Sequence, residues 1–208
     1  MNEGLLRLVA LISGRGSNLQ SIIDVAKDDY PARVVAVISN RPEAQGLVRA
    51  RAAGIAAYPL DHQRFASRAA FESELMRLID RHDPGLVLLA GFMRVLGTRF
   101  VEHYAGRLMN IHPSLLPRYP GLDTHARVLA AGDAKHGATV HFVTPDLDGG
   151  PIIVQGEVSV RSNEDATSLA GRVLREEHRI YPQAIRWFAE RRLSLRDGRV
   201  LLDGKPTV

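Results

Sequence analysis

The sequence predicts an α/β protein: a Rossmann-like, doubly wound, mostly parallel sheet with helices on both faces, mixed in its C-terminal half. Three observations carry that expectation. Continuous apolar runs recur at Leu8–Ile12, Val34–Ile38 and Leu86–Ala90, and a strand covered on both faces reads as such a run rather than as an alternation. Segments with apolar residues at helical spacing separate them, so strand and helix alternate. The first run leads directly into Ser13-Gly14-Arg15-Gly16-Ser17-Asn18, the place where an open α/β sheet presents a helix N-terminus to a ligand.

The remaining elements follow in order. After the glycines, Leu19, Ile22, Ile23 and Ala26 recur at helical spacing. The second strand closes with Ser39-Asn40-Arg41-Pro42. A helix over 44–53 stops at Gly54, a C-terminal signal, and a short strand over 56–58 follows. Residues 65–81 read as an amphipathic helix with Phe71, Leu75, Leu78 and Ile79 on one side. Beyond the very apolar run at 86–90, strands are expected at 108–112, 139–143 and 152–160, with a short helix over 124–131. A long helix covers 165–191, with a bend expected at Pro182. Segments 193–195 and 199–202 form a hairpin around Asp197-Gly198. No repeat or linker interrupts the pattern, so 1–208 is expected to be a single domain of two halves, about 1–105 and about 106–208.

Composition removes several chemistries. The 208 residues include no cysteine, so a disulfide framework, a thiolate nucleophile and Cys-ligated zinc are all out of reach. That fits a reducing compartment, the cytoplasm. Lys and Arg number 27 against 23 Asp and Glu, a net charge of +4. Only Lys27, Lys135 and Lys205 are lysines, and the arginines are scattered; the densest clusters, such as Arg191-Arg192, are short and interrupted by acids. A nucleic-acid partner calls for basic residues gathered on one face, so none is expected, and the surplus suits small anionic substrates. No membrane association is expected either. The apolar stretch at 8–12 is far below the ~20 residues of a spanning helix, and Glu3 stands where a signal peptide carries positive charge.

The glycine loop is the first candidate site. Glycine permits positive φ and close backbone approach, while Ser17 or Asn18 can cap the helix and bind phosphate. It is a poor dinucleotide fingerprint, because Leu19 occupies the position of the third small residue and no acid ends the second strand. Arg41 keeps an NADP-binding module open as an alternative, and a plain tight turn is another. The loop also lacks the lysine of a Walker A sequence. A terminal phosphate fits it best.

The second candidate is Asn110-Ile111-His112-Pro113. Alternation places Asn110 and His112 on one face of a strand that Pro113 ends, at the carboxyl end where open sheets bind ligands. An amide beside an imidazole suits a carbonyl oxygen that becomes an oxyanion. The turn-rich Thr144-Pro145-Asp146-Leu147-Asp148-Gly149-Gly150-Pro151 can bring a carboxylate to that histidine, favouring its charged form. Spacing leaves Asp146 and Asp148 equally eligible, and a solvated acidic loop is the plain alternative.

These segments, with Ala90-Gly91-Phe92-Met93-Arg94 and His112-Pro113-Ser114-Leu115-Leu116-Pro117 between them, resemble the phosphoribosylglycinamide formyltransferases, a folate-dependent family of the formyltransferase superfamily. The resemblance spans nearly the whole chain. It implies transfer of the formyl group of 10-formyltetrahydrofolate, the co-substrate, to the amine of phosphoribosylglycinamide in purine biosynthesis, with no metal, by a monomer or homodimer. It also implies the site: Asn110, His112 and Asp148 as the catalytic trio; Gly16, Ser17, Asn18 and Glu177 for the ribonucleotide; Arg68, Met93, Arg94, Val95 and Leu96 for folate. The N-terminal half is then the ribonucleotide-binding part and the C-terminal half the catalytic and folate-binding part. Glu177 has independent support, being in register with Val173 and Tyr181 on the apolar face of the long helix; a buried structural ion pair is its alternative. Asp123 stands where many relatives carry histidine, and is expected to pair with a cation such as His125. His141 reads as structural support.

Two enzymes of the same superfamily are rivals. A formyltetrahydrofolate hydrolase would use the same trio with water as acceptor but carries an N-terminal regulatory domain, for which the glycine loop at Ser13 leaves no room. A methionyl-tRNA formyltransferase needs a further C-terminal domain beyond Val208. The expectation is therefore the transferase.

Overall fold

The computed structural model describes residues 4–26 and 29–207; Glu3, Lys27 and Val208, which entered the sequence reading, lie outside them. The chain divides into two compact units, Met1–Met109 and Asn110–Val208.

The first unit runs β1 (Leu6–Ile12), α1 (Ser17–Val25), β2 (Ala32–Ser39), α2 (Gln45–Ala52), β3 (Ala56–Pro59), α3 (Arg68–Asp80), β4 (Leu86–Leu89) and α4 (Thr98–His103). Its strands lie in the order β3-β2-β1-β4, all parallel. Leu8 to Ile12 are completely buried, as a strand covered on both faces requires. The chain steps outward from β1 to β2 and β3, then returns to the other side of β1 as β4. Right-handed crossovers therefore put α1 and α2 on one face and α3 on the other. The order reverses between β1 and β4, the place where open sheets bind ligands at their carboxyl ends, and the glycine loop and residues 90–97 emerge there.

Helix α3 starts at Arg68 rather than at the expected residue 65. Ser67 is its N-cap, with Oγ accepting from Ala70 N at 3.1 Å, which leaves one otherwise unpaired helix donor satisfied. Phe65 stands outside the helix and packs edge-on against Phe71, ring centroids 5.6 Å apart.

Strand β5 (Leu108–His112) crosses from one unit to the next, and the second unit continues with α5 (Thr124–Ala131), β6 (Lys135–Phe142), β7 (Ile152–Ser159), α6 (Ala166–Ala189), β8 (Leu193–Arg196), β9 (Arg199–Leu202) and β10 (Lys205–Pro206). β6 and β7 are antiparallel, and β8, β9 and β10 form a small antiparallel sheet. Parallel strands in the first unit and the antiparallel pair in the second give the mixed α/β fold that the sequence predicts. β6 begins four residues before the expected 139. Gly137 interrupts the apolar pattern there, yet a Cβ on it would lie 1.9 Å from the Gly156 carbonyl oxygen, so the strand pairing itself excludes a side chain. In α6 the Asp165 carboxylate accepts from Ser168 N at 2.7 Å, and the helix continues past Pro182 to Ala189.

Candidate active site

In the first unit the glycine loop is built from main chain. Gly16 is the N-cap of α1, with φ 70° and ψ 35°, and no side chain caps the helix. Ser17 and Asn18 are thus the first residues of the helix, not its cap as the sequence suggested. The helix end is left with its positive dipole facing the loop and no acid in the first turn, an arrangement that favours an anion. The loop's shape is fixed from α2. Gly46 N donates to Gly14 O at 3.0 Å, and Arg49 Nε donates to Arg15 O at 2.9 Å. A Cβ on Gly16 would stand 2.7 Å from Gly46 Cα. Leu19 is fully buried, and Arg41 is exposed.

Residues 93–96 follow β4 without regular structure. Met93 and Val95 are exposed and Leu96 is buried, while the Arg94 guanidinium lies 5.4 Å above the centre of the Phe71 ring. Arg68, on the first turn of α3, sits 3.6 Å from Glu72 and is mostly exposed.

In the second unit side chains do the corresponding work. His112, at the end of β5, is 6% exposed. Its Nε2–H donates to the Tyr119 carbonyl at 3.0 Å, and its Nδ1 faces Asp148 Oδ2 at 3.5 Å. Since a carbonyl can only accept, Nε2 carries a hydrogen and Nδ1 is the nitrogen turned to the carboxylate. Asp148 reaches inward because its backbone takes φ 51°, and its Oδ2 also accepts from Gly121 N at 2.8 Å. Asp146 is exposed. Of the two aspartates that spacing left open, the fold brings Asp148 to the histidine.

Asn110 is oriented by His141. Burial pushes the His141 imidazole below its ordinary range, so it is neutral at pH 7. Its Nδ1–H donates to Phe142 O at 2.9 Å, leaving Nε2 to accept from Asn110 Nδ2 at 3.1 Å. The second amide hydrogen of Asn110 remains for a ligand. His141 is thus a support, as expected, but its support is directed at a candidate oxyanion donor.

Asp123 does not pair with His125. It is the αL N-cap of α5 with φ 56°, and its side chain is not the one His125 meets. His125 Nδ1 lies 3.0 Å from His136 Nε2, the rings edge to face. Burial, then the neighbouring His125 and His112, push His136 down to about 4, and burial followed by His112 lowers His125. A buried and a half-buried imidazole in contact cannot both carry charge cheaply.

Glu177 is buried on α6 together with Val173, Ile180 and Tyr181, the face its spacing indicated. Of the remaining predicted residues, Gly16, Ser17 and Asn18 share the head of α1 and Met93 to Leu96 share one segment, both in the first unit. Among the described residues, no three His, Asp or Glu side chains are grouped as metal ligands, and no helix is long and apolar enough to cross a membrane.

Tyr119 escaped the sequence reading. Its hydroxyl donates to Asp133 at 2.6 Å, and the guanidinium groups of Arg118 and Arg127 each lie 5.3 Å from its ring centre. These contacts hold the residue at φ 57°, which aims its carbonyl at His112. A main-chain contact from an αL residue leaves no pattern in the sequence.

Residues 6–185 match the formyl transferase family model. The chain belongs to the formyl transferase family. It is 52% identical over 201 residues to the phosphoribosylglycinamide formyltransferase of Escherichia coli K12, covering 96% of this chain and 95% of that one. A solved phosphoribosylglycinamide formyltransferase from Coxiella burnetii superposes with a TM-score of 0.93 at 51% identity, over 97% of this chain and 95% of its own. A formyltetrahydrofolate deformylase from Burkholderia mallei shares the family fold at a TM-score of 0.87, but at 27% identity and with 70% of its own chain covered.

Proposed function

We propose that this formyl transferase moves the formyl group of 10-formyltetrahydrofolate to the amine of 5-phosphoribosylglycinamide, giving the N-formyl product and tetrahydrofolate, a step of purine biosynthesis. The observation that carries the reading is the cluster of Asn110, His112 and Asp148 at the carboxyl end of β5, in a chain whose nearly full-length relatives bear that enzyme's name. The greater likeness to transferases than to the deformylase supports an amine over water as acceptor.

The chemistry assigns each group a task. The amine nitrogen attacks the formyl carbon, and the carbonyl electrons move onto oxygen. The free amide hydrogen of Asn110 donates to that oxyanion, and the positive charge of a protonated His112, its two N–H groups held by Tyr119 O and Asp148, stabilises it across the site. Asp148 balances the imidazolium charge and, through water, helps carry the amine proton to N10 of the folate as the carbon–N10 bond breaks. Gly16, Ser17 and Asn18 bind the phosphate at the head of α1 and Glu177 the ribose. The main chain of Met93 to Leu96 receives the pterin and Arg68 the folate carboxylates. Binding two small anionic substrates from the cytoplasm suits the arginine-rich, cysteine-free composition, and a monomer or homodimer is sufficient for it.

The test is a formyl-transfer assay with both substrates and a control lacking the acceptor. Removing one oxyanion donor typically costs ~10²–10³ in rate. His112→Ala and Asp148→Asn should therefore lower kcat by at least that order while leaving the ribonucleotide KM within a few-fold. Near-normal turnover in both variants would falsify the assignment, and formate released without acceptor would favour the hydrolase.

A further inference from the structure

Residues 93–97 have no helix or strand to hold them, yet both ends are fixed by buried side chains from other elements of the first unit. At the leading end Met93 N donates to Ser13 Oγ at 2.8 Å. The Ser13 hydroxyl passes its own hydrogen to Asn40 Oδ1 at 2.5 Å. Ser13 is 5% exposed and Asn40 2%, so neither partner has water to fall back on. Ser13 N also donates to Gly91 O at 3.0 Å, and Ala90 N to Leu11 O at 2.9 Å, which ties residues 90–93 onto the end of β1.

At the trailing end Gly97 N donates to Glu72 Oε1 at 2.9 Å. Glu72 is 7% exposed and projects from α3, one turn after Arg68, with which it forms an ion pair. The fit at Gly97 is close: a Cβ there would lie 2.8 Å from Glu72 Oε2. Between the two fixed ends Met93 and Val95 present mostly exposed side chains. A buried acid that receives a main-chain N–H, and a buried serine that does the same, are costly to keep for packing alone. They make sense where the main chain between them must stand in one conformation before a ligand arrives.

We infer that Ser13 and Glu72 are positioning residues for the folate co-substrate: they pre-form residues 93–97 as a main-chain platform for the pterin, and Glu72 also orients Arg68. This rests on the reading of Met93 to Leu96 as the pterin-facing segment. Ser13 has a second consequence, because it immediately precedes Gly14 of the phosphate loop. Its side chain serves the folate segment while its main chain leads into the ribonucleotide loop, so the two effects can be separated by removing the hydroxyl alone.

The experiment measures dissociation constants for tetrahydrofolate and for phosphoribosylglycinamide by calorimetry, on wild type, Ser13→Ala, Glu72→Ala and Glu72→Gln, with the thermal midpoint of each. Removing the buried partners of the half-buried main-chain donors Met93 N and Gly97 N should weaken tetrahydrofolate about tenfold in Ser13→Ala and in Glu72→Ala. Phosphoribosylglycinamide should stay within about twofold. Glu72→Gln keeps an oxygen acceptor for Gly97 N and should restore most of the affinity lost in Glu72→Ala. The inference is overturned if tetrahydrofolate affinity is unchanged in both alanine variants. It is equally overturned if both ligands weaken together, or if glutamine restores nothing. Should Ser13→Ala fail to fold, the two Glu72 variants carry the test. Wild type that binds no tetrahydrofolate would instead bring down the functional reading itself, and this inference with it.

Discussion

On the proposed reading the atoms that the first unit offers a ligand are mainly main chain, the N–H groups at the head of α1 and the backbone of 93–97, with the side chain of Arg68 beside them. In the second unit they are side chains: the amide of Asn110, the imidazole of His112 and the carboxylate of Asp148. The two regions are held in shape by different means. The first depends on absent side chains and close backbone approach, as where Gly16 meets Gly46. The second depends on buried polar partners, as where His141 orients Asn110 and Tyr119 orients His112. A main-chain site is therefore most sensitive to added volume and indifferent to pH, whereas a side-chain site tolerates some volume and responds to protonation. Binding without proton transfer suits the first construction, and moving protons requires the second.

The largest effect on stability should come from adding one methyl group to the main-chain site. Gly16→Ala places a Cβ 2.7 Å from Gly46 Cα, a backbone atom that cannot swing aside, and forces a side chain into φ 70°. The αL penalty alone is about 1 kcal/mol, and the clash raises the destabilisation to about 2–4 kcal/mol. The ribonucleotide KM should rise more than tenfold while the folate KM changes little. Denaturant unfolding and steady-state kinetics read both. Equal rises in the two constants would mean that the glycine loop does not hold the ribonucleotide.

A second prediction concerns pH and belongs to the other region. His136 is 1% exposed and burial, helped by His125 and His112, holds it down to about 4. The unfolded imidazole titrates near 6.5. Below that value the unfolded chain binds a proton that the folded chain refuses, so stability falls as pH falls. The contribution is whole above about pH 6.5 and is lost progressively toward pH 4, with a total of about 3 kcal/mol. Unfolding of wild type and His136→Gln at pH 7 and pH 4.5 should show the variant losing less stability on acidification. Parallel losses would mean the imidazole is not held neutral. Gly16→Ala, by contrast, should be destabilised equally at both pH values.

The sequence made the main-chain region easy to find and hard to describe, and the side-chain region the reverse. Glycines announce a loop, but nothing in Ser17 or Asn18 says that Gly16 would serve as the N-cap. Capping propensity favours the hydroxyl and amide, and the αL backbone of the glycine prevails because the loop must pass α2 closely. Asn110 and His112 were legible at once, since alternation and Pro113 fix their face and their end of the strand. The choice between Asp146 and Asp148 was beyond local spacing, because it depends on a positive φ at Asp148 and a contact with Gly121 across 27 residues. Ser13, Glu72 and Tyr119 gave no signal at all. Each acts on or through a main-chain atom, and such bonds are independent of the partner's residue type.

Tyr119 offers the smallest and most selective test, because its carbonyl can be loosened without being removed. Tyr119→Phe keeps the ring, and with it the stacking of Arg118 and Arg127, but deletes the hydroxyl that donates to Asp133. Asp133 retains Arg118 as an ion-pair partner at 2.7 Å, so no charge is left uncompensated and the fold should lose little stability. Residues 118–121 then hold the carbonyl against His112 less firmly, while His112 keeps its contact with Asp148. A site built from mutually supporting side chains should register that slack in turnover: kcat reduced by about three- to fivefold, with both KM values near wild type. Were kcat unchanged, the Tyr119 carbonyl would be an incidental neighbour of His112, and the side-chain site would rest on Asp148 and His141 alone.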